Sequence, residues 1–202
     1  LKEFLQRYSS EPGHPCYFES SDRSALLKEM WGLGYSKTNI QVEGVDEADI
    51  VKTDGEYIYA ISGQKVVIVK AYPAEEAAVL SKMNVNGTLE QVFINRERLV
   101  VFYESGSGSE IKTIINVYDI SSRENPVIKN EIAVDGCYFS SRMLGDYVYV
   151  VIRKTAYLVN GEVALPKIYV EGECKVIPAT EIYHSDVPDY VHLFTTIVAV
   201  NA

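Results

Sequence analysis

A five-residue pattern occurs three times in this 202-residue chain and sharply limits what the chain can fold into. It consists of an apolar residue, a spacer, Val, an acid or amide, and Gly. The copies are Ile40-Gln41-Val42-Glu43-Gly44, Met83-Asn84-Val85-Asn86-Gly87 and Ile132-Ala133-Val134-Asp135-Gly136. Beyond the three glycines, after 13, 11 and 11 residues, come Tyr57-Ile58-Tyr59-Ala60, Arg98-Leu99-Val100-Val101 and Tyr147-Val148-Tyr149-Val150. Period-2 stretches like these send successive side chains to opposite faces of a strand.

The glycines lie 43 and 49 residues apart. From residue 38 the pattern predicts strands near 38–45, 48–53, 56–62, 65–72, 78–85, 89–95, 97–104, 111–119, 127–134, 138–143 and 146–153. Turn signals such as Asp54-Gly55, Ser62-Gly63 and Glu124-Asn125-Pro126 separate them. Four short strands per repeat of that length is the signature of a β-propeller blade. The expected fold is therefore all-β, a β-propeller-like radial array of four-stranded blades over residues 38–202.

A further marker fixes the third repeat. Lys65-Val66-Val67-Ile68-Val69 corresponds to Thr113-Ile114-Ile115-Asn116-Val117, 48 residues later, and to Thr196-Ile197-Val198-Ala199-Val200, a further 83 later. The excess places an insertion at about 154–190. Inside it, Asn160-Gly161 flanked by apolar residues predicts a hairpin. Ile168-Tyr169-Val170-Glu171-Gly172 mimics the repeat, but no alternating strand follows it, so it is expected to be a decoy.

About three blades fit, and closed propellers have about 4 to 8. The chain is thus expected to be part of a larger propeller, or to complete itself through open sheet edges as a homo-oligomer. Residues 1–37 are predicted as a short helical N-terminal lead-in, with Leu26, Leu27, Met30 and Trp31 on one face. The chain begins at Leu1 without an initiating Met, which leads us to expect that a preceding portion has been removed.

Composition narrows the function classes. A net charge of −9 repels phosphate backbones and anionic headgroups, so no nucleic-acid partner is expected. No run of about 18 apolar residues occurs, so no membrane-spanning helix is expected. Cys16, Cys137 and Cys174 are too widely spaced for a zinc knuckle or a CxxC motif. Two readings stay open for them: buried free thiols, or one disulfide joining Cys137 to Cys174.

Glu43, Asp46, Glu47, Asp49 and Asp54 gather five carboxylates in twelve residues. Hard oxygens of this kind can hold Ca²⁺. The structural alternative is a set of turn caps and acids paired with Lys52 or an Arg from the next blade. The acid or amide before each repeat Gly is expected to bond turn amides, with the Gly supplying φ > 0. In the insertion, Tyr157, Tyr169, Tyr183 and Tyr190 are candidates for a protein-binding face, or else cover a blade edge. His184, Ser185 and Asp186 are neighbours on an extended chain and do not make a triad. No GxSxG elbow, Walker motif or GxGxxG after a strand occurs.

Gln41-Val42-Glu43-Gly44-Val45-Asp46-Glu47-Ala48-Asp49-Ile50-Val51-Lys52-Thr53-Asp54-Gly55 closely resembles the signature of a family of secreted archaeal and bacterial proteins. These carry a C-terminal β-propeller distantly related to WD-type repeats. Asn116-Val117-Tyr118-Asp119-Ile120 and Thr195-Thr196-Ile197-Val198 extend the resemblance. It implies a propeller at a secreted or cell-surface location, and no catalytic activity. The leading expectation is a non-catalytic module that binds a protein partner or the remaining blades of its parent chain. One alternative is a propeller enzyme, a hydrolase or quinone-type oxidoreductase, with its site at the channel mouth. Another is a Ca-stabilised structural protein of the cell envelope.

Overall fold

The computed structural model describes residues 44–184 and 192–202. The expected lead-in at 1–37, Glu43 and Tyr190 lie outside the described residues.

Among the described residues β1 (Val45–Glu47) comes first. β2 (Val51–Thr53), β3 (Tyr57–Ser62), β4 (Lys65–Lys70) and β5 (Ala78–Asn84) then form an antiparallel sheet in chain order. β6 (Thr88–Asn95), β7 (Arg98–Ser105), β8 (Lys112–Asp119) and β9 (Val127–Asp135) form a second in the same way. β10 (Cys137–Leu144) and β11 (Tyr147–Thr155) begin a third. The insertion follows, with β12 (Leu158–Val159), β13 (Glu162–Val163), β14 (Lys167–Val170) and β15 (Glu173–Val176). β16 (Leu193–Asn201) returns to pair with β11.

From β2 onward the strands lie where the alternation places them. The first expected strand, 38–45, lies outside the described residues except at its end, where Gly44 has φ +83° and β1 starts at Val45. Four strands per sheet needs correcting. The second sheet has six strands; the third has four, but one of them is β1 beside β10, and among the described residues no strand lies outside β16.

The second sheet is buried on both faces. Phe93, Val100, Phe102, Ile115 and Val117 share one core with Val148, Val150 and Ile152 of the third sheet. Leu99, Val101, Tyr103, Ile114 and Tyr118 share another with Tyr59, Val66 and Ile68 of the first. Two-sided burial explains why Leu99-Val100-Val101-Phe102-Tyr103 is an unbroken apolar run. Each aliphatic or Phe side chain so buried contributes about 1.5–3 kcal/mol. Phe102 links the layers, stacked on Tyr138 at 5.3 Å and edge-on to Phe93 at 6.0 Å. Three stacked sheets with two cores exclude a single sandwich core.

The repeat glycines divide into two kinds. A Cβ on Gly87 would lie 2.0 Å from the Glu104 carbonyl oxygen, and one on Gly136 would lie 2.5 Å from that of Arg153. Glu104 and Arg153 each lie 17 residues beyond their glycine. At both sites the connection between sheets presses against the second strand of the sheet it enters. Gly87 has no positive φ, so its expected left-handed role is corrected to a steric one. Gly44 meets no such neighbour.

The Asn160-Gly161 hairpin forms with both residues at positive φ (52° and 77°), as a two-residue turn of this kind requires. The decoy starts no new sheet. Its strand, β14, pairs with β9 in the register Ile168↔Val134, so the insertion leaves the third sheet and extends the edge of the second. Cys137 is disulfide-bonded, whereas Cys174 is an exposed free thiol. Both open readings are therefore corrected: Cys137 is not a free thiol, Cys174 is free but not buried, and the two do not bridge; the partner of Cys137 lies outside the described residues.

Candidate functional site

The acidic stretch forms a strap across the ends of all three sheets. β1 runs antiparallel to the otherwise open edge of β10, with Asp46 opposite Met143. Asp49 then bridges β6: its amide donates to the Val92 carbonyl at 3.3 Å and its carbonyl accepts from the Val92 amide at 2.8 Å. The chain turns and becomes β2, the edge of the first sheet. Unpaired strand edges invite foreign strands, and the strap covers two of them.

Its acids are spread along this path. Asp46 Oδ1 accepts from the Glu47 amide at 2.9 Å and from Lys52 Nζ at 2.8 Å. Lys52 is buried, with its ammonium 5.6 Å from the centre of the Phe93 ring. Glu47 pairs with Arg142 at 3.0 Å, and Asp49 accepts from the Ile50 amide at 2.7 Å. Among the described residues no three His, Cys, Asp or Glu side chains gather to hold a metal ion.

Asp54 forms the most elaborate contact. Its Oδ1 accepts from the amides of Glu56 and Tyr57, and its Oδ2 from the Tyr59 hydroxyl at 2.9 Å. Arg123 reaches over from the second sheet, donates Nε to the Tyr59 oxygen at 3.2 Å, and lies 3.5 Å from Asp54. Burial raises the Asp54 pKa. The Tyr57 amide, the Tyr59 hydroxyl, the Glu56 amide and the Arg123 charge together outweigh it, so the net shift is downward. Burial also pushes Tyr59 up to about 12.

A second polar group lies between the second and third sheets. Glu104 accepts the Tyr138 amide at 2.8 Å, and the Tyr138 hydroxyl bonds Gln91 and Ser141. Burial raises Glu104, only partly offset by the Tyr138 amide. Nearby, Lys154 Nζ donates to Asp135 Oδ2 at 2.8 Å. Asp135 thus bonds a cation, where sequence reasoning expected turn amides. Reasoning from motifs missed Glu104 and Lys154, but strand parity marks both: each follows apolar residues on the buried side of its strand.

The family model for the beta propeller domain matches residues 35–202. The chain belongs to the beta propeller domain family. This propeller domain is 34% identical over 122 residues to an uncharacterized protein of Methanocaldococcus jannaschii, covering 60% of this chain and 18% of the relative. It is 28% identical over 183 residues to an uncharacterized protein of Archaeoglobus fulgidus, covering 83% of this chain and 27% of the relative. The domain thus spans about a fifth to a quarter of these relatives' length. No solved structure matches it.

In the propeller domain the candidate tyrosines occupy different settings. Tyr169 lies on β14 beneath Lys112, whose ammonium is 3.9 Å from the ring centre. Tyr157 lies 5.7 Å from the Lys154 ammonium, and Tyr183 is fully exposed.

The outer face of the third sheet has no covering layer among the described residues. The third residue of each post-glycine strand occupies one repeat position. Tyr59 and Val100 there are 0% exposed, each packed against the sheet that follows, whereas Tyr149 is 41% exposed. Tyr147, Leu144 and Ile197 are exposed beside it.

Proposed function

We propose that this domain is a non-catalytic scaffold and protein-binding module outside the cell, its three sheets serving as consecutive blades of a larger ring. The exposure of Tyr149 carries this reading. It occupies the position that buries Tyr59 and Val100 against a following blade, so the third blade is shaped to be covered. Exposed apolar patches of this kind mark interaction sites. The spread of the strap acids onto cations and amides supports a structural role for the signature stretch. The extracellular location rests on the family resemblance and on the disulfide at Cys137, since such bonds persist in oxidising compartments.

A photo-crosslinker placed at Tyr149 tests the reading, with Glu75 on the exposed rim as the control position. The expected result is protein crosslinks from Tyr149 that are absent from Glu75. Equal labelling at both sites would overturn the binding reading. So would turnover of a chromogenic hydrolase or quinone-reductase substrate that Glu104→Gln abolishes. The enzyme alternative is favoured by one observation: Glu104 is a partly buried carboxyl with a raised pKa, a feature common in active sites.

A further inference from the structure

The connection between the first two sheets carries a motif that the scaffold reading does not use. Asn86-Gly87-Thr88 has the form Asn-X-Ser/Thr with X other than Pro, the acceptor sequence for N-linked sugar on the surface of secreted proteins. No other Asn-X-Ser/Thr occurs in the 202 residues. The three residues join β5 to β6. Asn86 and Gly87 form a bend, and Thr88 opens β6 opposite Glu104.

The local structure suits an acceptor. Asn86 and Thr88 are exposed, whereas Val85 and Gly87 are half-buried, so the amide and the hydroxyl that a transferase must recognise together both face solvent. Val85 packs on the core between the first two sheets, and Gly87 fits against the Glu104 carbonyl, which anchors the bend from below. The matching residue of the next connection is Asp135, which is buried and held by Lys154 at 2.8 Å. Lys154 lies 18 residues beyond Gly136, and 18 residues beyond Gly87 the chain has Ser105, which carries no charge. Asn86 makes no side-chain hydrogen bond or ion pair among the described residues, so its amide is not committed to holding the sheets together. Further blades would stack on the outer faces of the first and third sheets, and this connection lies on neither.

We propose that Asn86 is a site of N-linked glycosylation. The co-substrate is an oligosaccharide carried on a lipid phosphate and presented by a membrane oligosaccharyl transferase. Asn86 Nδ2 forms a bond to the anomeric carbon of the first sugar, and the bond from that carbon to the phosphate oxygen breaks. Its electron pair leaves on the lipid phosphate, the amide gives up one proton, and nothing is oxidised or reduced. The inference rests on the extracellular location in the reading above and on no other part of it.

Mass spectrometry of the tryptic peptide Met83–Arg96, taken from protein expressed in its own cells, reads the outcome directly. The expected result is a sugar chain on Asn86 in the native protein, its complete loss in Asn86→Gln and Thr88→Val, and its retention in Thr88→Ser. Circular dichroism should show unchanged strand content in all three variants, because both side chains face solvent. A bare Asn86 in exported protein overturns the inference and leaves the scaffold reading intact. So does a peptide whose only change is deamidation at Asn86-Gly87. A sugar that survives Asn86→Gln overturns it too, since the modified atom would then be the Thr88 hydroxyl. Protein found only inside the cell, with Asn86 bare, overturns the extracellular location and this inference with it.

Discussion

Lys154 of β11 and Asp135 at the end of β9 form an ion pair at 2.8 Å, with side-chain exposures of 8% and 11%. It ties the second sheet to the third beside Gly136, and Lys154 also reaches the Leu165 carbonyl in the insertion at 3.5 Å. Three segments therefore meet at one ammonium.

Removing that ammonium leaves a buried carboxylate uncompensated. Breaking a buried pair from one side costs about 3–5 kcal/mol, whereas replacing both partners with apolar groups is often neutral. Lys154→Met should lower the urea midpoint strongly, and adding Asp135→Leu should recover most of the loss. A Lys154→Met protein with a native midpoint would show that the pair carries no stability.

Gly87→Ala and Gly136→Ala put a methyl where backbone oxygens lie 2.0 and 2.5 Å away. Overpacking against backbone costs about 1–3 kcal/mol or more. Gly63 has open space and φ +62°, so Gly63→Ala costs only backbone strain of about 1–2 kcal/mol. Thermal melts should rank both repeat glycines well below Gly63. Equal Tm losses at all three sites would count against the close approach.

The lowered pKa of Asp54 ties it to acid stability. A carboxyl depressed in the folded state stabilises above its unfolded value, about 3.9, and that contribution disappears as pH falls through the folded value. Urea midpoints of the native protein should fall below pH about 4 more steeply than those of Asp54→Asn. Parallel curves would place the acid sensitivity elsewhere.

Glu104 has the opposite sign. Burial raises its folded pKa above the ordinary glutamate value, so its contribution is full below the unfolded value and is lost as pH rises through the folded one. Glu104→Gln keeps an acceptor for the Tyr138 amide and removes the buried charge. The variant should be more stable than the native protein at pH 7, with the gap closing near pH 4. A constant gap across that range would contradict a titrating Glu104.

Much of the fold was legible from period and spacing. The run from Tyr57 to Ala60 predicted β3, Arg98 to Val101 predicted β7, and Tyr147 to Val150 predicted β11, because a half-buried strand must alternate. The insertion was located by counting from Val69 to Val117 to Val200. The candidate site was less legible. Five acids in a short stretch look the same whether they surround a metal or each meets its own cation, and Arg123 and Arg142 lie far away in sequence.

Sequence alone determined where the strands lie, how they group into repeats, and which side of each strand is apolar. Those properties follow from side-chain alternation and local turn chemistry, which act over a few residues. Only the tertiary structure decided that β1 pairs with β10, that Asp49 bridges Val92, and that β14 joins β9. Backbone hydrogen bonds are the same for every residue, so a strand edge carries little information about its partner. The choice was made by which apolar faces had to be covered at the same time.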